Sequence, residues 1–243
     1  MTIPVIQEEW PEFDFISNEV TSLWFELNLY KELFCGSTDT IYQMNHTAKH
    51  FFYTLSFILP TNITRVLATI YDKPKTGRNQ NVTLESVCSQ ASMWCTKQTL
   101  DEIQLSLSTQ KSTIGKLRKF RNKKLVHLDH GVATGAQIRG LTIAEMDGLA
   151  TTAAETLNII RAQLFDSHHA YQEGITFAPG DIIGCLKNSL WQKELRTLVR
   201  KREIDENTLP SLLTGGFRGT SWQSWCEEKN VSPNYFLSEN GEK

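Results

Sequence analysis

The chain has 243 residues, of which 40% are hydrophobic and 21% charged, and a formal net charge of −2 at pH 7. This length and composition are ordinary for a globular protein that buries a core, either as one large domain or as one domain with an extension. Because the whole chain is slightly acidic, it is not a general coat for nucleic acid, and any attraction to phosphate has to come from a local cluster of basic residues.

The first predicted element is an amphipathic helix over residues 18–34, because apolar residues recur there every three or four positions. Gly36 predicts the end of this helix, and Ser37 or Thr38 can cap the next one. No alternating strand pattern in the sequence rivals this helical periodicity, so we predict an all-α fold.

The second predicted helix runs from about residue 39 to residue 59. Pro60 should end or kink it, because proline has no N–H to donate and crowds the preceding turn. Thr61 can then cap a short third helix over residues 62–71. The polar stretch 72–81, which contains proline and glycine, is the clearest loop in the chain.

Two further helices are predicted after this loop. Thr83 should open a helix towards Cys95, with Glu85 in the first turn, where a carboxylate suits the helix dipole. A long helix is expected over roughly residues 100–127, and glycines mark another loop behind it.

A capping box of Thr142 and Glu145 predicts the start of the next helix, which should run to about Tyr171. We expect a domain edge at Gly174, which gives a first helical domain over residues 1–173.

The remaining residues, 174–243, are predicted to be a helical C-terminal extension of unknown role, with one more helix over 181–202. Basic residues should spread around that helix, as an additional phosphate-binding surface or simply as a solvated face: Lys187, Lys193, Arg196, Arg200, Lys201 and Arg202.

The N-terminal residues and the cysteines indicate a cytoplasmic protein. Acidic residues such as Glu8 and Glu12 stand near the start instead of a positive charge followed by an apolar run, so no secretory leader is expected. The most apolar stretch, residues 51–59, is too short to span a bilayer, which predicts no membrane partner. The five cysteines are odd in number and lack CxxC spacing, so neither a disulfide framework nor a cysteine-based zinc site is predicted.

The most distinctive segment covers residues 116–129. It contains six lysine and arginine residues and ends with the order His127, Leu128 and Asp129. On its own, this pattern is also typical of a solvated helix end, where cations suit the dipole.

The order of residues in this segment resembles the signature of the HEPN superfamily, which is an arginine, a polar residue directly after it and a histidine four to six residues further on. Here these are Arg121, Asn122 and His127. The form R-N-K-K-L-V-H-L-D is similar to the abortive-infection AbiU-like branch of these proteins. Residues 70–84 also resemble the loop before the fourth helix of that branch, and the whole likeness covers roughly residues 15–170.

The resemblance implies an up-and-down helical bundle that forms a homodimer, so that two copies of the motif face one cleft. Many members cut RNA without a metal, and no cofactor is implied. Such a protein would be a toxin-like effector in defence against phage, restrained by an antitoxin or another regulatory protein. The implied partners are therefore RNA, a second copy of the chain and such a regulator.

The chemistry of the three motif residues suits RNA cleavage. An imidazole such as that of His127 has an unperturbed pKa of about 6.5 and can take or give a proton at neutral pH. Arg121 offers a planar fork of donors to phosphate oxygens, and Asn122 could hold the phosphate or orient the histidine. The resemblance implies that these three residues are catalytic and that the products end in a 2′,3′-cyclic phosphate and a 5′-hydroxyl. Three lysines would attract the RNA backbone: Lys119, Lys123 and Lys124.

The spacing of Arg121 and His127 does not suit one regular helix. Six positions turn about 600°, which leaves the two side chains about 120° apart. Arg121 instead shares a stripe with Leu117 and Leu125, on the face that should pack. Either the helix ends or distorts before His127, or a dimer partner completes the cleft. We favour the dimer, which would also explain a charged arginine on an apolar seam.

Two weaker patterns in the sequence concern metal and nucleotide binding. His46 and His50 have the i, i+4 spacing of a zinc pair, but a third ligand is not evident, so a packed or exposed pair is favoured and no metal is predicted. The loop over residues 72–81 lacks the order of a phosphate-binding loop and follows a helix, so nucleotide binding there is not expected, and a supplementary RNA contact stays open.

Two other functions stay open at this point. A HEPN module without nuclease activity would bind RNA, a nucleotide or a partner protein. A structural protein would form dimeric assemblies or bind an antitoxin.

Overall fold

The computed structural model of the chain describes residues 10–125, 139–172 and 179–201, together with residues 205 and 207. Most of these residues are helical, so the predicted all-α class is confirmed. None of the helices in these ranges is long and apolar enough to cross a membrane.

The helices in chain order are α1 (Pro11–Phe34), α2 (Thr38–Ile70), α3 (Leu84–Ala91), α4 (Lys97–Thr109), α5 (Lys111–Phe120), α6 (Ile143–Phe165) and α7 (Pro179–Arg200). A turn of π-helix, Arg121–Leu125, follows α5 directly. Two short strands, β1 (Lys75–Thr76) and β2 (Asn79–Gln80), pair antiparallel between α2 and α3.

The chain forms two compact units. The first takes residues 1–28 and 58–176, and the second takes residues 29–57 and 177–243, so that the division falls inside α1 and α2. A compact unit reflects packing and does not by itself define a domain, so the predicted domain edge at residue 174 stays a prediction.

The core of the first unit is built from the apolar faces of α1, α2, α5 and α6. The side chains of Leu23, Leu67, Leu117 and Leu157 are completely buried. Along α1 the buried residues recur every three or four positions, as expected for a helix with one face in the core: Phe13, Ile16, Val20, Leu23 and Leu27. Helix α4 packs along α6.

A buried polar contact fixes the end of α2 in this unit. The hydroxyl of Tyr71 donates a hydrogen bond to the backbone carbonyl of Leu149 in α6 at 2.6 Å. Burial raises the pKa of Tyr71 far above its ordinary value, so the phenol stays protonated and remains a donor. The last residue before the loop is therefore held against α6.

The second unit has a small apolar cluster of its own. Leu33 from the end of α1, Met44 and Phe52 from the first half of α2, and Leu186 from α7 are buried together. Leu190 and Leu198 of α7 are also buried, which gives this helix one apolar face.

The predicted caps at Ser37, Thr83 and Thr142 are confirmed. The backbone N–H of Thr40 donates to the Ser37 hydroxyl, and Thr83 and Thr142 each accept from the backbone three residues on. Thr142 and Glu145 form the predicted capping box. Helix α6 ends at Phe165, short of the predicted Tyr171, because Asp166 adopts a left-handed conformation with φ of 46°.

The predicted end of the second helix at Pro60 is wrong, and so is a separate third helix capped by Thr61. Helix α2 continues through Pro60 to Ile70. Leu59 and Ile63 on either side of the proline are buried, so packing outweighs the loss of one backbone hydrogen bond. The non-helical backbone of α2 lies at Ala48, with φ of −148° and ψ of 60°.

The single long helix predicted over residues 100–127 is also wrong, because it is divided at Gln110. This residue has φ of −100° and ψ of 5°, outside helical geometry. Its side chain lies over Gly148 of α6, where a Cβ would be 3.3 Å from Nε2 of Gln110. The residue at the division contacts a distant helix, and no glycine or proline marks this position in the sequence.

An ion pair fastens α5 to the start of α6. Lys116 Nζ donates to both carboxylate oxygens of Glu145, at 2.7 and 2.8 Å. This hydrogen bond, with a second from the backbone N–H of Thr142, holds the pKa of Glu145 at about 2. A depressed carboxyl pKa means that the ionised form favours the folded state.

We expect the stability difference between the wild type and Glu145→Gln to depend on pH. The contribution of Glu145 should be fully present above its ordinary pKa of 4.5 and should be lost as the pH falls through that value towards 2. Urea unfolding at a series of pH values measures this. Lys116→Met should show the same dependence, whereas a difference that is constant from pH 7 to pH 2 would contradict the role of this pair.

Candidate functional site

Arg121 lies where α5 changes into the π-turn. One turn earlier, the fully buried Leu117 fixes α5 in the core, which places Arg118 and Arg121 at the edge of the packed face. A π-turn has i→i+5 hydrogen bonds and is a frequent feature of functional sites. Of the two arrangements expected for this motif, the structure therefore has a helix that distorts before residue 127.

Arg121 is held by an acidic residue of the same chain. Its Nη1 lies 2.5 Å from a carboxylate oxygen of Asp72, and the two side chains are only 22% and 20% exposed. Nε of Arg121 donates to the side-chain oxygen of Asn122 at 3.0 Å. Among the residues that the structure describes, Nη2 has no hydrogen-bond partner, which leaves donors of the fork available to a bound anion.

The carboxylate of Asp72 is fixed on both oxygens. One oxygen pairs with Arg121 and the other accepts the backbone N–H of Lys73 at 2.8 Å. Asp72 therefore orients the guanidinium of Arg121 rigidly, at the cost of neutralising part of its charge.

Arg118, one helical turn before Arg121, binds the backbone of the segment that contains Asp72. Its Nε donates to the carbonyl of Tyr71 at 2.9 Å and Nη2 to the carbonyl of Asp72 at 3.3 Å. The same Nη2 lies 3.7 Å from a carboxylate oxygen of Glu85 in α3. Two arginines of α5 and the π-turn thus fix the segment that follows α2.

The predicted loop over residues 72–81 is largely a β-hairpin. Its tip is at Gly77, whose φ of 63° is unfavourable for other residues. Asn81 closes the hairpin: its backbone N–H donates to Pro74, and its side-chain amide donates to the Lys73 carbonyl and to the Thr76 hydroxyl.

An open groove of about 720 Å³ runs beside Arg121. It lies within the first unit and is lined by residues of α1, α2, the hairpin and the π-turn, among them Phe15, Arg65, Asp72, Gln80, Val82 and Arg121. The groove is of the size that small ligands occupy in proteins.

The structure brings together two of the three predicted catalytic residues. Asn122 is exposed and in contact with Arg121, whereas His127 lies outside the described residues. Of the three predicted RNA-binding lysines, Lys119 is exposed and Lys123 half-buried, and the side chain of Lys124 lies outside the described part of the chain.

The structure offers a different explanation for one of the arguments in favour of a dimer. A partner subunit was expected to explain a charged arginine on an apolar seam, but Asp72 of the same chain already compensates the charge of Arg121. The homodimer itself stays a prediction.

Asp72 and Arg118 were missed as functional residues. Both lie in segments that the resemblance had marked, residues 70–84 and 116–129. A signal was available, because Asp72 is the only acidic residue between Tyr71 and Leu84 and several basic residues follow it. Its pairing with Arg121 could not be read from spacing, because it depends on how α2 and α5 pack.

His46 and His50 do not form a regular i, i+4 pair. The non-helical backbone at Ala48 lies between them. Nδ1 of His46 is 2.8 Å from the carbonyl of Tyr42, and its ring stacks on that tyrosine. In the described ranges, no three histidine, cysteine or acidic side chains are grouped so that they could hold a metal.

Three of the basic residues of α7 share one face. Lys193, Arg196 and Arg200 line a shallow groove in the second unit, together with Gln192. Spacings of three and four residues put them on one side. The predicted spread of all six basic residues around the helix stays a prediction, because the side chain of Lys187 and residue Arg202 lie outside the described part of the chain.

Comparison of the chain with protein-family models, with curated proteins and with solved structures gives no match. The resemblance to HEPN proteins therefore stays a prediction that depends on the motif and loop residues of this sequence.

Proposed function

We propose that the chain is a HEPN-type endoribonuclease that cuts RNA without a metal. The observation that carries the proposal is the fixed guanidinium of Arg121, held at 2.5 Å by Asp72 beside an open groove. It stands directly before Asn122 and in the same segment as His127, in the order that resembles the family signature.

In the proposed reaction His127 takes the proton of a ribose 2′-hydroxyl, and the 2′-oxygen attacks the neighbouring phosphorus. The bond to the 5′-oxygen of the next nucleotide breaks, and that oxygen leaves as a 5′-hydroxyl after protonation. The other product carries a 2′,3′-cyclic phosphate. The histidine of a second subunit would provide the acid if the protein is a homodimer.

Arg121 would stabilise the phosphorane, on which negative charge increases. A donor fixed in advance needs no reorganisation when this charge develops, so it stabilises the transition state more than a mobile cation does. The contacts of Asp72 and Asn122 to the guanidinium provide that fixation. Lys119, Lys123 and Lys124 would attract the RNA backbone, in a manner that weakens with salt.

The biological setting is part of the same proposal. A cytoplasmic nuclease of this kind would act as a defence effector against phage and would need a regulator such as an antitoxin. The regulator and the homodimer are open to direct test by co-purification and by size-exclusion chromatography with light scattering.

RNA binding without cleavage is the second candidate function. The observation that favours it is the same ion pair, because Asp72 already neutralises much of the charge of Arg121. A guanidinium in this state would position a phosphate but would stabilise additional charge less effectively.

The deciding experiment is RNA cleavage in EDTA by the wild type and by His127→Ala. We expect cleavage by the wild type, with 2′,3′-cyclic phosphate and 5′-hydroxyl ends, and a loss of at least about a hundredfold in the variant, because removal of a general acid–base typically costs that much. His168→Ala, which removes an exposed histidine, is the matched control. Equal cleavage by wild type and His127→Ala would rule out the proposed mechanism, and salt-sensitive binding without cleavage would support the second candidate.

A further inference from the structure

Phe15 has an unusual environment for an aromatic residue of α1. Its neighbours Phe13 and Ile16 are buried in the core, whereas Phe15 is 45% exposed and lines the groove beside Arg121. An exposed phenyl ring at the wall of a groove is a surface on which a planar ligand can stack.

Arg65 of α2 lines the same groove and is exposed. Its Nε donates to the side-chain oxygen of Asn62 at 3.0 Å, and the Asn62 amide donates to Glu26 at 2.5 Å. These contacts restrain the guanidinium of Arg65 through its Nε atom and not through its Nη atoms. In the described part of the chain both Nη groups lack a protein partner, so they are available to an anion.

The charges of the groove fit an anionic ligand. Its described lining residues include two arginines, Arg65 and Arg121, and one carboxylate, Asp72. The remaining wall offers the exposed amide of Gln80 and the apolar side chain of Val82. A volume of about 720 Å³ exceeds what a single inorganic anion needs and can accommodate a nucleotide.

We propose that this groove binds an unpaired nucleotide of single-stranded RNA, next to the phosphodiester held by Arg121. The base stacks on Phe15, and Arg65 binds the phosphate on the far side of that nucleotide. An unpaired base is required because the bases of a duplex already stack on one another and leave no face for the phenyl ring. The assignment of the phosphodiester to Arg121 rests on the proposed function.

The test uses a fluorescein-labelled single-stranded RNA whose 2′-hydroxyls are all methylated, so that it binds without being cut. Fluorescence anisotropy then gives Kd for the full-length wild type, Phe15→Leu, Phe15→Trp and Arg65→Gln. Phe51→Leu is the matched control, because Phe51 is an exposed phenylalanine of α2 that is outside the groove.

We expect Phe15→Leu to raise Kd by about five- to a hundredfold, the effect of losing one base stack on an aromatic ring. Phe15→Trp should stay within about threefold of the wild type, because it retains an aromatic surface. Arg65→Gln should weaken binding and lower the slope of log Kd against log salt by about one, as for one lost phosphate contact. Phe51→Leu should bind like the wild type.

The outcomes separate this inference from the proposed function. If Phe15→Leu and Arg65→Gln bind the methylated RNA as tightly as the wild type, or if the wild type does not bind it, the nucleotide site is overturned. If the wild type in that case still cuts unmethylated RNA, and this cleavage requires His127, the proposed nuclease activity is retained. If binding depends on Phe15 and Arg65 while the wild type cuts no RNA, the proposed nuclease activity is rejected and the nucleotide site is supported. Circular dichroism and thermal unfolding of each variant confirm that a change in Kd does not come from loss of the fold.

Discussion

Arg121→Ala is expected to lower the rate of RNA cleavage at saturating substrate by about a hundred- to a thousandfold, the usual effect of removing one fixed donor to a developing anion. The reason is that Arg121 combines a permanent positive charge with a position fixed by Asp72 and Asn122. Arg121→Lys should recover only part of the rate, because an ammonium group cannot keep both contacts of the planar guanidinium. The measurement is kcat and KM on one RNA substrate.

The matched control for Arg121→Ala is Arg78→Ala. Arg78 is an exposed arginine near the tip of the neighbouring hairpin, so its removal takes away the same charge without touching the ion pair. We expect Arg78→Ala to leave kcat unchanged and to raise KM at most slightly. Wild-type kcat in Arg121→Ala would exclude Arg121 from the chemistry.

The variant Asp72→Asn, assayed in the same way, separates two effects of the ion pair: the positioning of Arg121 and the neutralisation of its charge. If Asp72 serves as a positioning residue, the amide keeps part of the geometry and kcat falls less than in Arg121→Ala. If Asp72 restrains the enzyme by neutralising Arg121, Asp72→Asn cuts RNA faster than the wild type. Measuring kcat and KM separately identifies which effect dominates. If Asp72 acts mainly by neutralising the charge of Arg121, it also weakens ground-state binding of phosphate in the wild type.

The parts of the fold that could be predicted from the sequence are those set by local interactions. The caps at Ser37, Thr83 and Thr142 depend on a side-chain oxygen and a backbone N–H two or three residues later, so they can be recognised from a few letters. The periodicity of buried residues in α1 likewise depends only on helix geometry. Together these local features were sufficient to predict the all-α class.

The parts that were predicted wrongly depend on contacts between distant segments. Helix α2 continues through Pro60 with Leu59 and Ile63 on either side buried, and α4 separates from α5 at Gln110, whose side chain lies over Gly148. Neither contact has a local pattern in the sequence. Propensity was therefore a weak guide at Pro60 and Gln110, where tertiary packing dominates.

The candidate site also combines local features that the sequence predicted with distant contacts that it did not. The adjacent pair of Arg121 and Asn122 was identified from the motif and is in contact in the structure. Asp72 and Arg118 join two segments that are far apart in the chain, so their roles appear only once α5 lies against the end of α2. The residues of the groove, Phe15 and Arg65, come from further elements and had no sequence signal of their own.

The position of Arg121 depends on the packing of α5, which predicts a large effect of Leu117→Ala. Leu117 is 0% exposed, and truncation of a fully buried leucine typically costs about 2–5 kcal/mol, from lost transfer energy and from the cavity that remains. We expect the free energy of unfolding to fall by that amount in urea titrations, with little change in the slope against urea concentration.

Leu105→Ala is the matched control for this prediction, because Leu105 in the neighbouring α4 is 69% exposed. The same change of side chain there should alter the free energy of unfolding by no more than about 0.5 kcal/mol. If Leu117→Ala stays folded, it should also cut RNA more slowly than Leu105→Ala, because the arginines on α5 and the π-turn lose their fixed support. Equal stability of the two variants would show that α5 is not held by its buried face, and that the position of Arg121 is set by its ion pair with Asp72 instead.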